Sequence, residues 1–402
     1  MENNLLSKKI NNIALELQNG NSKAVEEFWK EVELNGSPII EKIDEENVLI
    51  TFIYRYSNGD ESVIVYGSIP GYRYEENKLE RLMDTDILYK TYKVINNVKF
   101  KYRFSLDYKN GDSYEVIKKN SILDPLNKRT VVFPKDEEDL EDEGSVDSYV
   151  EIANIKEKRW TVDNINVPKG NIDIHRISYE GISRRIWVYK PYGYENMTKP
   201  CNLLVLSDGF EHMNYLSSNN ALDNLIYEGK IEATVCMLIE SGENRNTELP
   251  CKEEFARFVA EKLVLWVREK YNVTCSPEKT IVSGVSFGGL FASYVALKHP
   301  NVFGNIVAQS GSYWWEKGSL IEEYKNSDKL PIKVHLNVGV LEDRPYDDEP
   351  IMMDYINDMR DVLIDKGYEV TYELLESGHD YLSWGEGLGN GLINVVGNRS
   401  EF

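Results

Sequence analysis

One stretch constrains the fold of this chain more than any other: Lys279 to Pro300, KTIVSGVSFGGLFASYVALKHP. An apolar strand, Ile281 to Val282, runs directly into Gly284-Val285-Ser286-Phe287-Gly288, and an apolar helix follows without a break. That order places Ser286 on a tight strand-to-helix turn, with small residues two positions to either side so that neighbouring backbone can pass close. The following helix directs its first amides, including that of Phe287, toward any negative charge developing beside the serine. A Gly-x-Ser-x-Gly pattern alone is common and also fits a plain glycine-rich turn. The strand before it and the helix after it make Ser286 a candidate nucleophile, and they require a mostly parallel sheet around it.

The remainder of the second half meets that requirement. Leu203 to Leu206, Thr234 to Ile239, Lys279 to Gly284, Asn305 to Gln309, Ile332 to Val338 and Glu369 to Leu375 read as strands alternating with amphipathic helices, the rhythm of a parallel α/β sheet. Glu253 to Lys270 sets Phe255, Phe258, Val259, Leu263 and Trp266 at helical spacing.

The first half follows another rhythm. After a helical start through Trp29, Lys99, Lys101 and Arg103 interleave with Phe100, Tyr102 and Phe104, and short runs at Val48 to Tyr56, Ser62 to Tyr66 and Leu88 to Val94 are separated by turns such as Ser57-Asn58-Gly59-Asp60. Alternation of this kind predicts an antiparallel β-sandwich with one wet face. A length of 402 residues also exceeds what one core usually organises. Two domains are expected, 1–150 and 151–402, with the acidic run DEEDLEDEGSVD from Asp136 to Asp147 as a solvated linker in the first.

A formal net charge of −21 argues against nucleic acid or an anionic membrane surface as partner, since both reward clustered Lys and Arg. No stretch reaches the roughly 18 apolar residues of a membrane span, and the N-terminal residues lack the apolar core of a secretory signal. The four cysteines, Cys201, Cys236, Cys251 and Cys275, show no CxxC spacing. A reduced, cytoplasmic setting is expected, with no metal site and no cofactor.

A serine hydroxyl needs a base. Of five histidines, His175 and His335 fall within strand patterns, His299 ends the helix after the serine turn, and His212 sits in the loop after Asp208-Gly209, from which it could face the site. His379, in Glu376-Ser377-Gly378-His379-Asp380 just beyond the last predicted strand, is the candidate base. The acid that orients it should follow the strand Ile332 to Val338. Glu342, nearest the strand end, is the choice, with Asp343, Asp347, Asp348 and Glu349 as alternatives. A second oxyanion amide should come from the end of Leu203 to Leu206, where Gly209 allows close approach; Asp208-Gly209 is equally compatible with a plain turn.

These residues resemble the enterochelin (enterobactin) esterases, within the esterase D group of α/β-hydrolases. The resemblance covers nearly the whole chain. Its most specific parts are Gly284 to Leu290, the run Gln309-Ser310-Gly311-Ser312-Tyr313-Trp314-Trp315, Gly378-His379-Asp380 with Trp384, and Arg245-Asn246-Thr247-Glu248-Leu249. In the first half Val48 to Arg55, Glu80-Arg81-Leu82, Lys101 to Phe104 and Asp124 to Asn127 are similar to that family's N-terminal domain. The resemblance implies an α/β-hydrolase domain preceded by an immunoglobulin-like, E-set sandwich that recognises substrate. It implies intracellular hydrolysis of the trilactone of a ferric catecholate siderophore, of the enterobactin or bacillibactin type, with iron arriving as part of the substrate. Ser286, His379 and, less directly, Glu342 would carry the chemistry. Arg245 would meet the anionic catecholates, or else pair with Glu248, while Trp314, Trp315 and Trp384 would form aromatic walls or pack in the core. Two rival readings are a feruloyl or acetyl esterase acting on plant-polysaccharide esters and a non-catalytic siderophore or glycan binder. Intact Ser286, Gly288 and His379 argue against the second.

Overall fold

The computed structural model describes residues 7–57, 62–71, 73–152, 158–343 and 351–398. The chain divides into two compact units. The first takes in Met1–Lys156 and also, from far downstream, Glu376–Asp380.

Strands β1 (Ile39–Lys42), β2 (Asn47–Arg55), β3 (Ile64–Gly67), β4 (Glu80–Arg81), β5 (Ile87–Ile95), β6 (Lys99–Ser105), β7 (Ser121–Ile122), β8 (Thr130–Phe133) and β9 (Ser145–Glu151) build the first unit. They form two antiparallel sheets, β1-β2-β5-β4 and β3-β6-β9-β8, with β7 added to β6. Phe52 of β2 meets Tyr102 of β6 edge-on, with ring centroids 4.7 Å apart, and Tyr54 meets Phe104 at 5.6 Å. Alternate residues of the two strands thus supply a shared apolar layer. Helices Lys8–Gln18 and Ala24–Asn35 close one side by packing Ile10, Phe28, Trp29 and Val32 against Ile53, Ile87 and Tyr89.

Two expectations change here. The run from Asp136 is not a linker between domains: residues through Gly144 connect β8 to β9 inside the first unit, and Asp147 lies within β9. Its carboxylates cap its own backbone, Asp136 taking the amide of Glu138 at 3.0 Å, Asp139 that of Glu141 at 3.0 Å and Asp142 that of Gly144 at 2.9 Å. Local Asx turns give a like-charged run a folded form that composition does not reveal. The polar face of β6 is also less wet than its alternation predicts. Lys101 donates to Asp147 at 2.8 Å, and Lys99 is buried while its amide donates to the Glu376 carbonyl at 3.0 Å.

The second unit holds one eight-stranded sheet: β10 (Asn171–Tyr179), β11 (Ile182–Lys190), β12 (Asn202–Leu206), β13 (Thr234–Ile239), β14 (Thr280–Val285), β15 (Asn305–Gln309), β16 (Lys333–Gly339) and β17 (Glu369–Leu375). Their order is β10-β11-β13-β12-β14-β15-β16-β17. From β13 to β17 every pairing is parallel. Strands β12 to β15 are buried throughout, as parallel strands covered on both faces should be. The hairpin β10–β11, of which the sequence marks only the stretch around His175 as strand, extends the sheet antiparallel to β13. Its two-residue turn, Glu180 at φ 51° and Gly181 at φ 81°, has the mirror-image geometry that matches strand twist. Glu253–Lys270 is helical throughout, with a π-helical stretch from Phe258 to Leu263. No helix among the described residues is long and apolar enough to cross a membrane.

Candidate active site

Ser286 occupies the turn between β14 and the helix Phe287–Lys298, at φ 57° and ψ −120°. Conformations of this kind cost a non-glycine residue about 1–3 kcal/mol and persist only when the surroundings over-determine them. They do so here. The Ser286 amide donates to Gln309 O at 2.9 Å, and its carbonyl accepts from the amides of Gly289, Leu290 and Ser312 at 3.0, 3.1 and 3.1 Å. The flanking glycines are sterically required: a Cβ on Gly284 would lie 2.6 Å from the backbone of Gly288, and one on Gly288 would collide with Ser207 Oγ. The half-buried Ser286 Oγ lies 3.3 Å from Ser312 Oγ. Ser312 was read only as part of a similar run, although its place just after β15, beside β14, brings it to the serine.

Glu342 follows β16 by three residues and is buried. Its Oε1 accepts from Ser310 Oγ at 2.7 Å and from the Gly339 amide at 2.8 Å. Ser310, itself held at φ 44°, receives the indole N–H of Trp384 at 3.0 Å. Trp384 is therefore a buried support for the Glu342 pocket rather than an open aromatic wall. Of the alternative acids, Asp343 is exposed, and Asp347, Asp348 and Glu349 lie outside the described residues.

His379 comes four residues after β17, in the half-buried part of the segment Glu376–Asp380. Within the first unit this segment is tied to β6 and its neighbours: Asn97 donates to Glu376 Oε1 at 2.8 Å and Ser68 Oγ to the His379 carbonyl at 3.1 Å. Ser286, Glu342 and His379 thus follow the C-terminal ends of β14, β16 and β17, where parallel sheets carry their functional loops. The other histidines are engaged elsewhere. His175 bonds Tyr271 Oη at 2.6 Å, His335 is buried against Thr371, and His299 follows the helix end. His212 is fully buried, with Nδ1 2.8 Å from Ser218 Oγ. Burial pushes its imidazole down to about 4, against the pull of Asp208.

Arg245 has a partner that was not expected. Its guanidinium grips Asp208 bidentately, Nε to Oδ1 at 2.6 Å and Nη2 to Oδ2 at 2.8 Å. Glu248, the alternative partner, pairs instead with Arg184, at 2.8 and 3.0 Å and out of solvent. Closeness in sequence suggests the first pairing; the neighbouring strand β11, which carries Arg184, supplies the second. Burial would raise the Asp208 carboxyl, but Arg245 outweighs it and holds it below the ordinary carboxylate range. Gly209, next to Asp208, has no room for a side chain: a Cβ would lie 2.9 Å from the Trp187 ring and 3.0 Å from the Leu238 backbone. Phe287, Trp314 and Trp315 cluster beside the serine, with ring centroids 5.5–6.2 Å apart. Trp314 is exposed and Trp315 half-buried.

The family model described as a putative esterase matches residues 179–395, more than half of the chain. The chain belongs to this esterase family. As an esterase of this family the protein is a carboxylic ester hydrolase, and the match contains the serine turn, Glu342 and His379. The esterase is similar to an iron(III) enterobactin esterase of Dickeya dadantii, with 26% identity covering 91% of this chain and 92% of the relative. It is 30% identical to an iron(III) enterobactin esterase of Escherichia coli over 53% of this chain and 54% of the other. Its fold matches that of a ferric enterobactin esterase from Salmonella typhimurium with a TM-score of 0.71 and 23% identity, covering 92% of this chain and 98% of that structure.

Proposed function

We propose that this esterase hydrolyses the trilactone ester bonds of a ferric catecholate siderophore inside the cell, with Ser286 as nucleophile, His379 as general base and Glu342 as the acid that orients it. The observation that carries the substrate is the near full-length likeness to the Dickeya dadantii iron(III) enterobactin esterase, which extends over both units. The serine turn, its enforced geometry and the buried carboxylate at the end of β16 support the chemistry.

In this reading His379 takes the proton of Ser286 Oγ as that oxygen attacks a lactone carbonyl. The amides of Phe287 and Gly209 receive the charge that develops on the carbonyl oxygen. Collapse of the tetrahedral intermediate expels the alkoxide of the next serine unit, which leaves with the proton from His379. Water, activated by the same histidine, then releases the acyl chain from Ser286. Iron is cargo: the trilactone holds three catechols at high effective concentration around the metal, so cutting the tether weakens the chelate without altering a catechol. The first unit is read as an immunoglobulin-like sandwich that contributes to substrate recognition, and Trp314 and Trp315 as aromatic surface for a catechol ring.

Incubation with ferric enterobactin, ferric bacillibactin and a feruloyl ester, followed by chromatography of the products, tests the reading. Turnover of a ferric trilactone is expected to exceed that of the feruloyl ester, and Ser286→Ala should remove it by several orders of magnitude in a folded protein. Preference for the feruloyl ester would overturn the substrate, and wild-type turnover by Ser286→Ala would overturn the mechanism.

A further inference from the structure

Arg245 and Asp208 stand out because their interaction reaches the serine turn from an unexpected side. Asp208 sits at φ 55° and ψ 50° two residues after β12 and is essentially buried. Its amide donates to Ser241 Oγ at 3.0 Å. Both carboxylate oxygens are engaged by Arg245, whose Nη2 also approaches the carbonyl of Val285, the residue before Ser286, at 3.4 Å. The same loop presses on the turn through Ser207, whose Oγ lies 2.6 Å from where a Gly284 Cβ would be. A strained, buried backbone position and a planar fork with fixed donor geometry are characteristic of a device that sets position.

We infer that Arg245 and Asp208 form a positioning pair that locks Ser207 and Asp208, which join β12 to the helix Gly209–Asn214, against the serine turn, and so fixes the Gly209 amide relative to Ser286 for every ester the enzyme cleaves. This rests on the reading of Ser286 as nucleophile and Gly209 as oxyanion donor. It assigns Arg245 a role different from direct charge recognition of a catecholate. A guanidinium already neutralised by a bidentate carboxylate has little net field to offer an anionic substrate, whereas loss of the fork frees a loop on which an oxyanion contact depends. Such contacts tolerate little displacement.

The test compares Arg245→Ala, Arg245→Lys and Asp208→Asn with the parent enzyme on p-nitrophenyl acetate, which is small and neutral, and on ferric enterobactin, which is anionic. Positioning predicts that kcat falls on both substrates by a similar factor. That factor should be about tenfold or more, short of the roughly 10²- to 10³-fold that loss of an entire oxyanion donor costs. KM should change little, added salt should leave the ratio of the two losses unaltered, and Arg245→Lys should recover only part of the rate because an ammonium cannot reproduce the fork. Combining Arg245→Ala with Asp208→Asn should cost little beyond either alone, since both break one unit. An Arg245→Ala effect confined to KM for ferric enterobactin, and reduced by salt, would overturn the inference in favour of charge recognition. Should Arg245→Ala fail to fold, the near-isosteric Asp208→Asn decides: unchanged kcat on p-nitrophenyl acetate overturns the inference. Ser286→Ala, run alongside, separates the two levels, because turnover surviving that substitution overturns the site itself and the pair's role with it.

Discussion

Glu342 and Asp343 are neighbours in sequence, yet their surroundings differ. Glu342 is buried with Oε1 held by Ser310 and the Gly339 amide, while Asp343 faces solvent. Hydrogen bonds to a charged group are worth about 1.5–3 kcal/mol, enough to hold one carboxylate in a single orientation. Glu342→Gln should therefore lower kcat by at least about tenfold, a rise of roughly 1.4 kcal/mol in the barrier, whereas Asp343→Asn should leave it within twofold. Steady-state rates on a chromogenic ester decide, and the opposite ranking would remove Glu342 from the assignment. His212 makes a separate residue-scale prediction about stability. Its folded value of about 4 lies below the ordinary 6.5, so between these values the unfolded chain binds a proton that the folded chain does not. Stability is then fully present above pH 6.5 and lost as pH falls toward 4. A gap of this size is worth on the order of 3 kcal/mol. The unfolding midpoint of the parent protein should drop more steeply across that window than that of His212→Gln; parallel curves would show that the imidazole contributes nothing.

Among the elements, the β14 turn is the most constrained. A strand-turn-helix written as Gly284-Val285-Ser286-Phe287-Gly288 works because backbone passes where side chains would otherwise be. Gly284→Ala would set a methyl 2.6 Å from the Gly288 backbone, which cannot move aside without shifting Ser286. Overpacking of this sort costs about 1–3 kcal/mol. A lowered unfolding midpoint together with lost esterase activity is expected, and a variant matching the parent in both would show the turn to be looser than its geometry implies. The β10–β11 hairpin teaches a different lesson. The sequence around His175 shows a strand but not its partners; β10 has only exposed and half-buried positions, and the hairpin joins the sheet by pairing of β11 to β13.

For the molecule as a whole, the division into units does not follow the chain. Glu376–Asp380, the segment bearing the candidate base, belongs with the first unit through Asn97, Ser68 and the Lys99 amide. If His379 is the base, the hydrogen bonds that hold this segment bear on the chemistry. Asn97→Ala should reduce kcat on a small ester with KM nearly unchanged. The effect should be roughly fivefold if the lost hydrogen bond is worth about 1 kcal/mol to the loop geometry. Unchanged kcat on a small ester would show that the Asn97 hydrogen bond does not bear on the chemistry.

Much of the fold is legible in the amino-acid sequence. Period-two and apolar-run patterning marked β2, β5, β6 and the parallel strands from β12 to β17, because burial on one or both faces leaves a local periodic trace. Ser286 was legible for the same reason, since its turn is written in five consecutive residues. Chain order also makes Glu342 and His379 candidates. Other features depended on partners remote in sequence, and only tertiary structure decided them. Asp208 is 37 residues from Arg245, Glu248 is 64 from Arg184, and Ser310 is 74 from Trp384. Composition alone suggested a linker in the Asp136 run, whereas self-capping turns and the β8–β9 pairing made it part of a sheet. Local pattern records which face of an element must leave water. Which charge meets which is settled by the order of strands in the sheet, and neighbouring residues carry no record of that.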